Sequence, residues 1–269
     1  MRNKNKVELY IILSAIILSL IVLALFWGLN RERSPKPKLS NTSPSALSKL
    51  PDSVPTTAPV KTEQPPVTFL GLAKLTKPTT VRALILGDVV AESLGASNKD
   101  LTSWYILVAN DLHNKYPGTF QWNFKTAKEA TIDYALKYVP EVTQDTDLII
   151  LCLGRYDWAT LTTNDFKLKY EQFLEELKAK SPHTDLFLVV EPPVKNITNN
   201  NKSFPYRQVI LDLGKKHQIP VIDAWTAFID EPTPLNGLLS DGINPNDKGY
   251  RVFANEVLKK FDEHLLLAK

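Results

Sequence analysis

Three short stretches of this 269-residue chain carry the residue types that acyl-transfer or glycoside chemistry would use. The first, VRALILGDVVAESLGA from Val81 to Ala96, sets Gly87-Asp88 directly after an apolar run and follows with Glu92 and Ser93. The second, LCLGRYD from Leu151 to Asp157, is followed by Trp158; the third, SDGINPNDKGY, runs from Ser240 to Tyr250. Acyl transfer needs a nucleophile, a base to take its proton, and donors for the oxyanion that forms. Ser93 offers a hydroxyl, but His113, His183, His217 and His264 all lie outside these stretches and read as surface residues. Glycoside cleavage would need two carboxyl groups at a fixed separation. Glu92, Glu129 and Asp241 are available for that, and a sequence gives no separation. No histidine is spaced for a metal. The single cysteine, Cys152, sits in the run LIILCLG as a small buried hydrophobe, so neither metal nor other cofactor is implied.

An alternating frame must position these stretches. Short apolar runs bounded by Gly, Pro or Asp predict buried strands at Arg82–Leu86, Asp147–Leu153, Leu186–Val190 and Pro220–Ile222. A fifth strand is predicted by the alternation over Thr119–Phe124. Helical patterns are predicted over Leu101–Lys115, with Asp100 as N-cap, and over Ala130–Tyr138, Asn164–Lys180, Pro205–His217 and Asn246–Leu265. Thr68–Lys77 reads as a leading strand or loop. Strands interleaved with helices imply one α/β domain over residues 68–269, three layers deep (α/β/α) and doubly wound on a mainly parallel five-stranded sheet. Open sheets of this kind bind ligands at the carboxyl ends of their strands, where Gly87-Asp88 falls.

On these residues the domain resembles the SGNH hydrolases, the GDSL-type esterases and lipases, and the resemblance implies an SGNH, flavodoxin-like fold. The family's first block reads Gly-Asp-Ser with the Ser as nucleophile; here it is Gly87-Asp88-Val89. Its Gly-x-Asn-Asp strand end, whose Asn serves the oxyanion hole, reads Gly154-Arg155-Tyr156-Asp157. Its Asp-Gly-x-His-Pro reads Asp241-Gly242-Ile243-Asn244-Pro245, and Glu129 falls where the second block places an oxyanion Gly. Asp88, Gly154 and Asp241 are retained, while Val89, Glu129, Tyr156 and Asn244 replace the reacting groups. An isopropyl group cannot attack a carbonyl and an amide has no useful basicity, so the resemblance implies a pseudoenzyme.

The residues left to bind something are Asp88, Glu92, Ser93, Tyr156, Asp157, Trp158, Asp241 and Asn244. Because the family often acts on acylated sugars, the resemblance implies binding or scaffolding with a cell-wall carbohydrate or an envelope protein. The rival expectation is an active SGNH-type esterase or deacetylase on acylated cell-surface carbohydrate, working through Ser93 or the carboxylates. Asp88 and Asp241 also read simply as local backbone caps.

Ahead of the domain, residues 1–8 form a short basic tail, and Leu9–Leu29 is an uncharged stretch of 21 residues. About 20 such residues cross a bilayer as a helix, Trp27 suits the interface, and no small-x-small cleavage site follows. A retained signal anchor is expected, with the domain outside the cell. Residues 30–67 are rich in Pro, Ser and Thr and read as a disordered spacer. Net charge is +5 over residues 1–67 and −2 over the remainder, so the folded part gives no case for nucleic-acid binding.

Overall fold

The computed structural model describes residues 70–267. The expected basic tail, membrane span and spacer lie outside the described residues. No helix among the described residues is long and apolar enough to cross a membrane. Five strands, β1 (Thr80–Gly87), β2 (Thr119–Thr126), β3 (Leu148–Cys152), β4 (Asp185–Val190) and β5 (Val221–Asp223), pair in the order β2-β1-β3-β4-β5, all parallel. The order reverses at β1, so the strand ends of β1 and β3 flank the topological switch point.

Helices cover both faces because the strand residues alternate. Val81, Ala83 and Ile85 of β1 join one core with α2 (Trp104–His113), α6 (Ala224–Asp230) and α7 (Asp247–Leu267). Leu84 and Leu86 join the other, under α3 (Ile132–Leu136), α4 (Thr163–Lys180) and α5 (Ile197–His217). On α4, Phe166, Tyr170, Phe173, Leu174 and Leu177 form the buried stripe that their spacing dictates. Burial on two faces is why the strands read as nearly unbroken apolar runs.

Several expected boundaries shift for physical reasons. Arg82 is not part of the apolar run: it is exposed and pairs with Asp145 at 3.2 Å. Asp100 is not an N-cap; Asn98 caps the short α1 (Lys99–Thr102) by accepting from the Asp100 N–H, and Ser103 separates α1 from α2. Gly71–Thr76 is a 3-10 helix rather than a strand, tied down where Asp185 accepts the Leu72 N–H at 2.7 Å. The helix expected at Pro205 starts instead at Ile197, because Asn196 accepts the N–H groups of Thr198 and Asn199 and so caps an Asn-rich first turn. Pro205 is tolerated inside α5 where Asn201, whose carbonyl loses its helical partner, lies on an exposed part of the helix. The short α6, capped by Asp223, went unread in the sequence.

Candidate active site and the adjoining cleft

The turn after β1 is rigid. The Asp88 N–H donates to the Cys152 carbonyl at 3.3 Å, and Asp88 Oδ1 accepts the Val90 N–H at 2.8 Å. Two helices clamp the next turn. Trp104 Nε1 donates to the Ala91 carbonyl at 2.8 Å, and the Tyr250 hydroxyl donates to that of Leu94 at 2.6 Å. Val89, at the position of the family's nucleophile, is half-buried on this turn. Ser93 is fully buried at φ +60°, and its Oγ accepts the Trp104 N–H at 3.1 Å. Its hydroxyl thus serves the start of α2, where no incoming carbonyl can reach it.

The loop before α7 keeps the relation that a catalytic Asp holds with its base, with an amide as the base. Asp241 Oδ1 accepts the N–H groups of Ile243 and Asn244, and Oδ2 accepts Asn244 Nδ2 at 2.8 Å. Burial pushes the Asp241 carboxyl up, but these hydrogen bonds outweigh it and hold the group below the usual carboxylate range. Asn244 is buried, and its Oδ1 has no hydrogen-bond partner among the described residues. Glu129 takes φ +56°, a backbone conformation that a glycine adopts without cost, and its side chain is exposed. Tyr156 is half-buried at the end of β3; burial, joined by the Asp88 and Glu191 carboxylates and opposed by Arg155, raises its hydroxyl pKa. Gly154 is at φ +120°, and a Cβ there would come within 2.7 Å of Ile210.

The remaining candidates are dispersed. Glu92 accepts from the Thr126 hydroxyl and stands 3.8 Å from the Lys99 ammonium. Asp157 is fully buried, where Oδ1 accepts the Ile132 N–H at 2.8 Å and Oδ2 has no side-chain partner among the described residues. His113 and His183 are exposed. His217 and His264 are instead half-buried in ion pairs with Glu171 and Asp185, at 2.8 and 3.1 Å.

Burial raises the Asp157 pKa to about 6, which has a testable consequence. The folded chain keeps this proton to higher pH than the unfolded one. Asp157 therefore contributes stability that is complete below the ordinary carboxylate pKa and is lost as pH rises through about 6. In urea unfolding, Asp157→Asn should gain about 2–3 kcal/mol relative to wild type between pH 4 and pH 7. A constant difference across that range contradicts the assignment.

One grouping was not foreseen. Under the site, Asp88, Cys152 and Glu191 each bring a side-chain atom within 4.8 Å of the others, all three buried. Arg155 supplies the positive charge. Its backbone N–H donates to Glu191 Oε2 at 3.2 Å, and its Nε lies 3.8 Å from Oε1. Its two terminal nitrogens donate to the carbonyls of Pro192 and Ile243 at 3.0 and 3.3 Å. Burial, reinforced by Asp88 and opposed by Arg155, pushes the Glu191 carboxyl well above its ordinary value. Asp88, Cys152 and Arg155 lie in the stretches that stand out in the sequence, whereas Glu191, just past β4 in Glu191-Pro192-Pro193, carries no local functional signal.

Beside the site opens a cleft between the end of β3, the end of β4 and α5, about 600 Å³ including its mouth. Leu153, Val190, Val194 and Ile210 give it an apolar floor, and Tyr156, Trp158 and Trp225 line its walls. Tyr156 and Trp158 are the expected ligand-binding residues that it brings together.

A five-stranded parallel sheet in flavodoxin order, with a Gly-Asp turn after β1 and an Asp-Gly-x-Asn-Pro loop before the last helix, defines an SGNH-type hydrolase fold. Residues 85–252, more than half of the chain, match the GDSL-like lipase/acylhydrolase family, and the chain belongs to it. No curated protein matches the sequence. Among solved structures, a lipase/acylhydrolase from Enterococcus faecalis is 17% identical at TM-score 0.57, covering 68% of this chain and 96% of that one. An acetylxylan esterase from Geobacillus stearothermophilus, solved as a catalytic mutant, is 16% identical at TM-score 0.55, covering 67% and 93%. A two-domain esterase active on acetylated mannans is 14% identical at TM-score 0.56, covering 70% and 50%. At these identities the likeness is one of fold.

Proposed function

We propose that this protein is a non-hydrolytic member of the family, tethered to the membrane through Leu9–Leu29, that binds a saccharide at the cell envelope through the cleft beside its former active site. The observation that carries the reading is the state of the reacting positions. Where a nucleophile, an oxyanion donor and a base are required, the chain has Val89, Tyr156 and Asn244. The nearest substitute hydroxyl, Ser93, is buried and committed to the Trp104 N–H. A carboxylate at position 129 would oppose the charge that acyl transfer develops. Asp88, Asp241 and the turn between them nonetheless persist as structural caps, so the strand ends keep a formed concave surface. An aromatic-walled, apolar-floored cleft with a few polar groups is the form a saccharide site takes. Two neighbours of like fold, an acetylxylan esterase and an esterase active on acetylated mannans, favour the same ligand class.

The test uses the full-length chain in detergent with p-nitrophenyl acetate. Wild type and Ser93→Ala should both match buffer. Turnover by wild type that disappears in Ser93→Ala overturns the reading. On cell fractionation the chain should remain with membranes after a high-salt wash.

A further inference from the structure

Two indole rings on the walls of the cleft each carry a cation. Lys202 Nζ lies 4.4 Å from the ring centre of Trp158, and the Arg207 guanidinium carbon lies 5.6 Å from that of Trp225. Such contacts hold a cation over the ring face and fix the position of an otherwise free side chain. Arg207 is balanced by Asp223 at 3.0 Å and Arg155 by the buried Asp88–Glu191 pair. Lys202 and Lys195 are exposed and form no ion pair within the described residues. The Lys195 backbone N–H donates to the Gly242 carbonyl at 2.8 Å, and the residue follows the cleft-lining Val194, so Lys195 and Lys202 stand at the rim of the cleft rather than among the residues that line it. The nearby Asp241 carboxylate is already engaged by three donors from residues 243 and 244. The cleft also includes Asn199 and Ser203 from the N-terminal part of α5, a 21-residue helix whose positive dipole end adds the same sign.

Resting on the saccharide-binding reading above, we propose that this cleft selects acidic saccharides, a sugar ring lying on the apolar floor and its carboxylate or phosphate meeting Lys195, Lys202 and Arg207. A neutral sugar would use the same floor and walls but leave two ammonium groups without an anionic partner. Selectivity for charge is therefore the property that this arrangement adds.

The experiment titrates the full-length chain in detergent, at low salt, with trigalacturonate and glucose 6-phosphate, and with α-1,4-linked galactotriose and glucose as their neutral counterparts. Quenching of tryptophan fluorescence reports occupancy, and because the chain has five tryptophans, Trp158→Phe and Trp225→Phe, made separately, assign the quenched signal to the cleft. The acidic ligand should bind about ten-fold tighter than its neutral counterpart, as expected of two exposed cations. That preference should shrink as salt rises. Lys195→Gln with Lys202→Gln should abolish the preference, the acidic ligand then binding no tighter than its neutral counterpart in the same variant. Both residues are exposed and form no ion pair within the described residues, so the fold should survive, which circular dichroism checks. Preference for trigalacturonate alone identifies the anion as a carboxylate, and for glucose 6-phosphate alone as a phosphate. Equal binding of neutral and acidic ligands, or an unchanged preference in the double variant, overturns the charge selectivity and leaves the saccharide reading standing. Binding of none of the four overturns both.

Discussion

A chain carrying Val89→Ser, Asn244→His, Tyr156→Asn and Glu129→Gly should hydrolyse p-nitrophenyl acetate, whereas Val89→Ser alone should not differ from wild type. The scaffold already holds what the new groups need. Asp241 Oδ2 accepts Asn244 Nδ2 at 2.8 Å, which is where it would accept Nδ1–H from an imidazole, leaving Nε2 free to take the proton of a serine hydroxyl at position 89. The turn at residue 89 is braced by Trp104 and Tyr250, so the new hydroxyl inherits a fixed direction. A serine without that base has little more than the residual catalysis of a damaged triad, about 10³–10⁴ over water at best, and here it would also lack a complete oxyanion hole. Each restored oxyanion donor should add about 10²–10³ in rate. A glycine at position 129 adds no strain, since the backbone there is already at φ +56°. Activity should rise with pH through the imidazole range, as expected of a histidine base. A folded but silent quadruple variant would show that the loss extends beyond the side chains that react.

The frame was legible because parallel strands bury both faces and leave apolar runs that Gly, Asp and Pro interrupt. Ile149 and Ile150 point into opposite cores, and both had to be apolar. Where the pattern is polar the reading failed. The first turn of α5, Ile197 to Lys202, has no apolar periodicity, and only the Asn196 cap shows where it begins. The Gly-Asp and Asp-Gly-x-Asn-Pro sequences could be read directly because each is a local turn whose side chain caps its own backbone. The Arg155–Glu191 pair could not, as its members are 36 residues apart. They meet because the β3/β4 register sets Cys152 opposite Val189, which carries the residues just past both strand ends to one place. The cleft is likewise assembled from β3, β4, α5 and Trp225 at the start of α6, and no single stretch announces it.

Arg155→Met should be the most destabilising single change near the site, and Glu191→Gln one of the mildest. Removing the guanidinium strips the counter-charge from a fully buried carboxylate pair and frees the carbonyls of Pro192 and Ile243 at once. Breaking a buried ion pair from one side costs about 3–5 kcal/mol. In a domain of this size that lowers Tm by roughly 6–20 °C. Glutamine at 191 keeps an acceptor for the Arg155 N–H and puts an amide donor in the place of the acid proton beside Asp88. It mimics the protonated acid that burial and Asp88 favour. The sign in pH follows from that raised pKa. The folded state keeps the Glu191 proton longer than the unfolded chain, so its contribution is whole in acid and is lost as pH rises above the ordinary carboxylate range. Glu191→Gln should remove this loss and gain on wild type with increasing pH. If it were instead as damaging as Arg155→Met and followed the wild-type pH profile, Glu191 would be an ordinary carboxylate paired with Arg155, and the proton assigned to the pair would not be there.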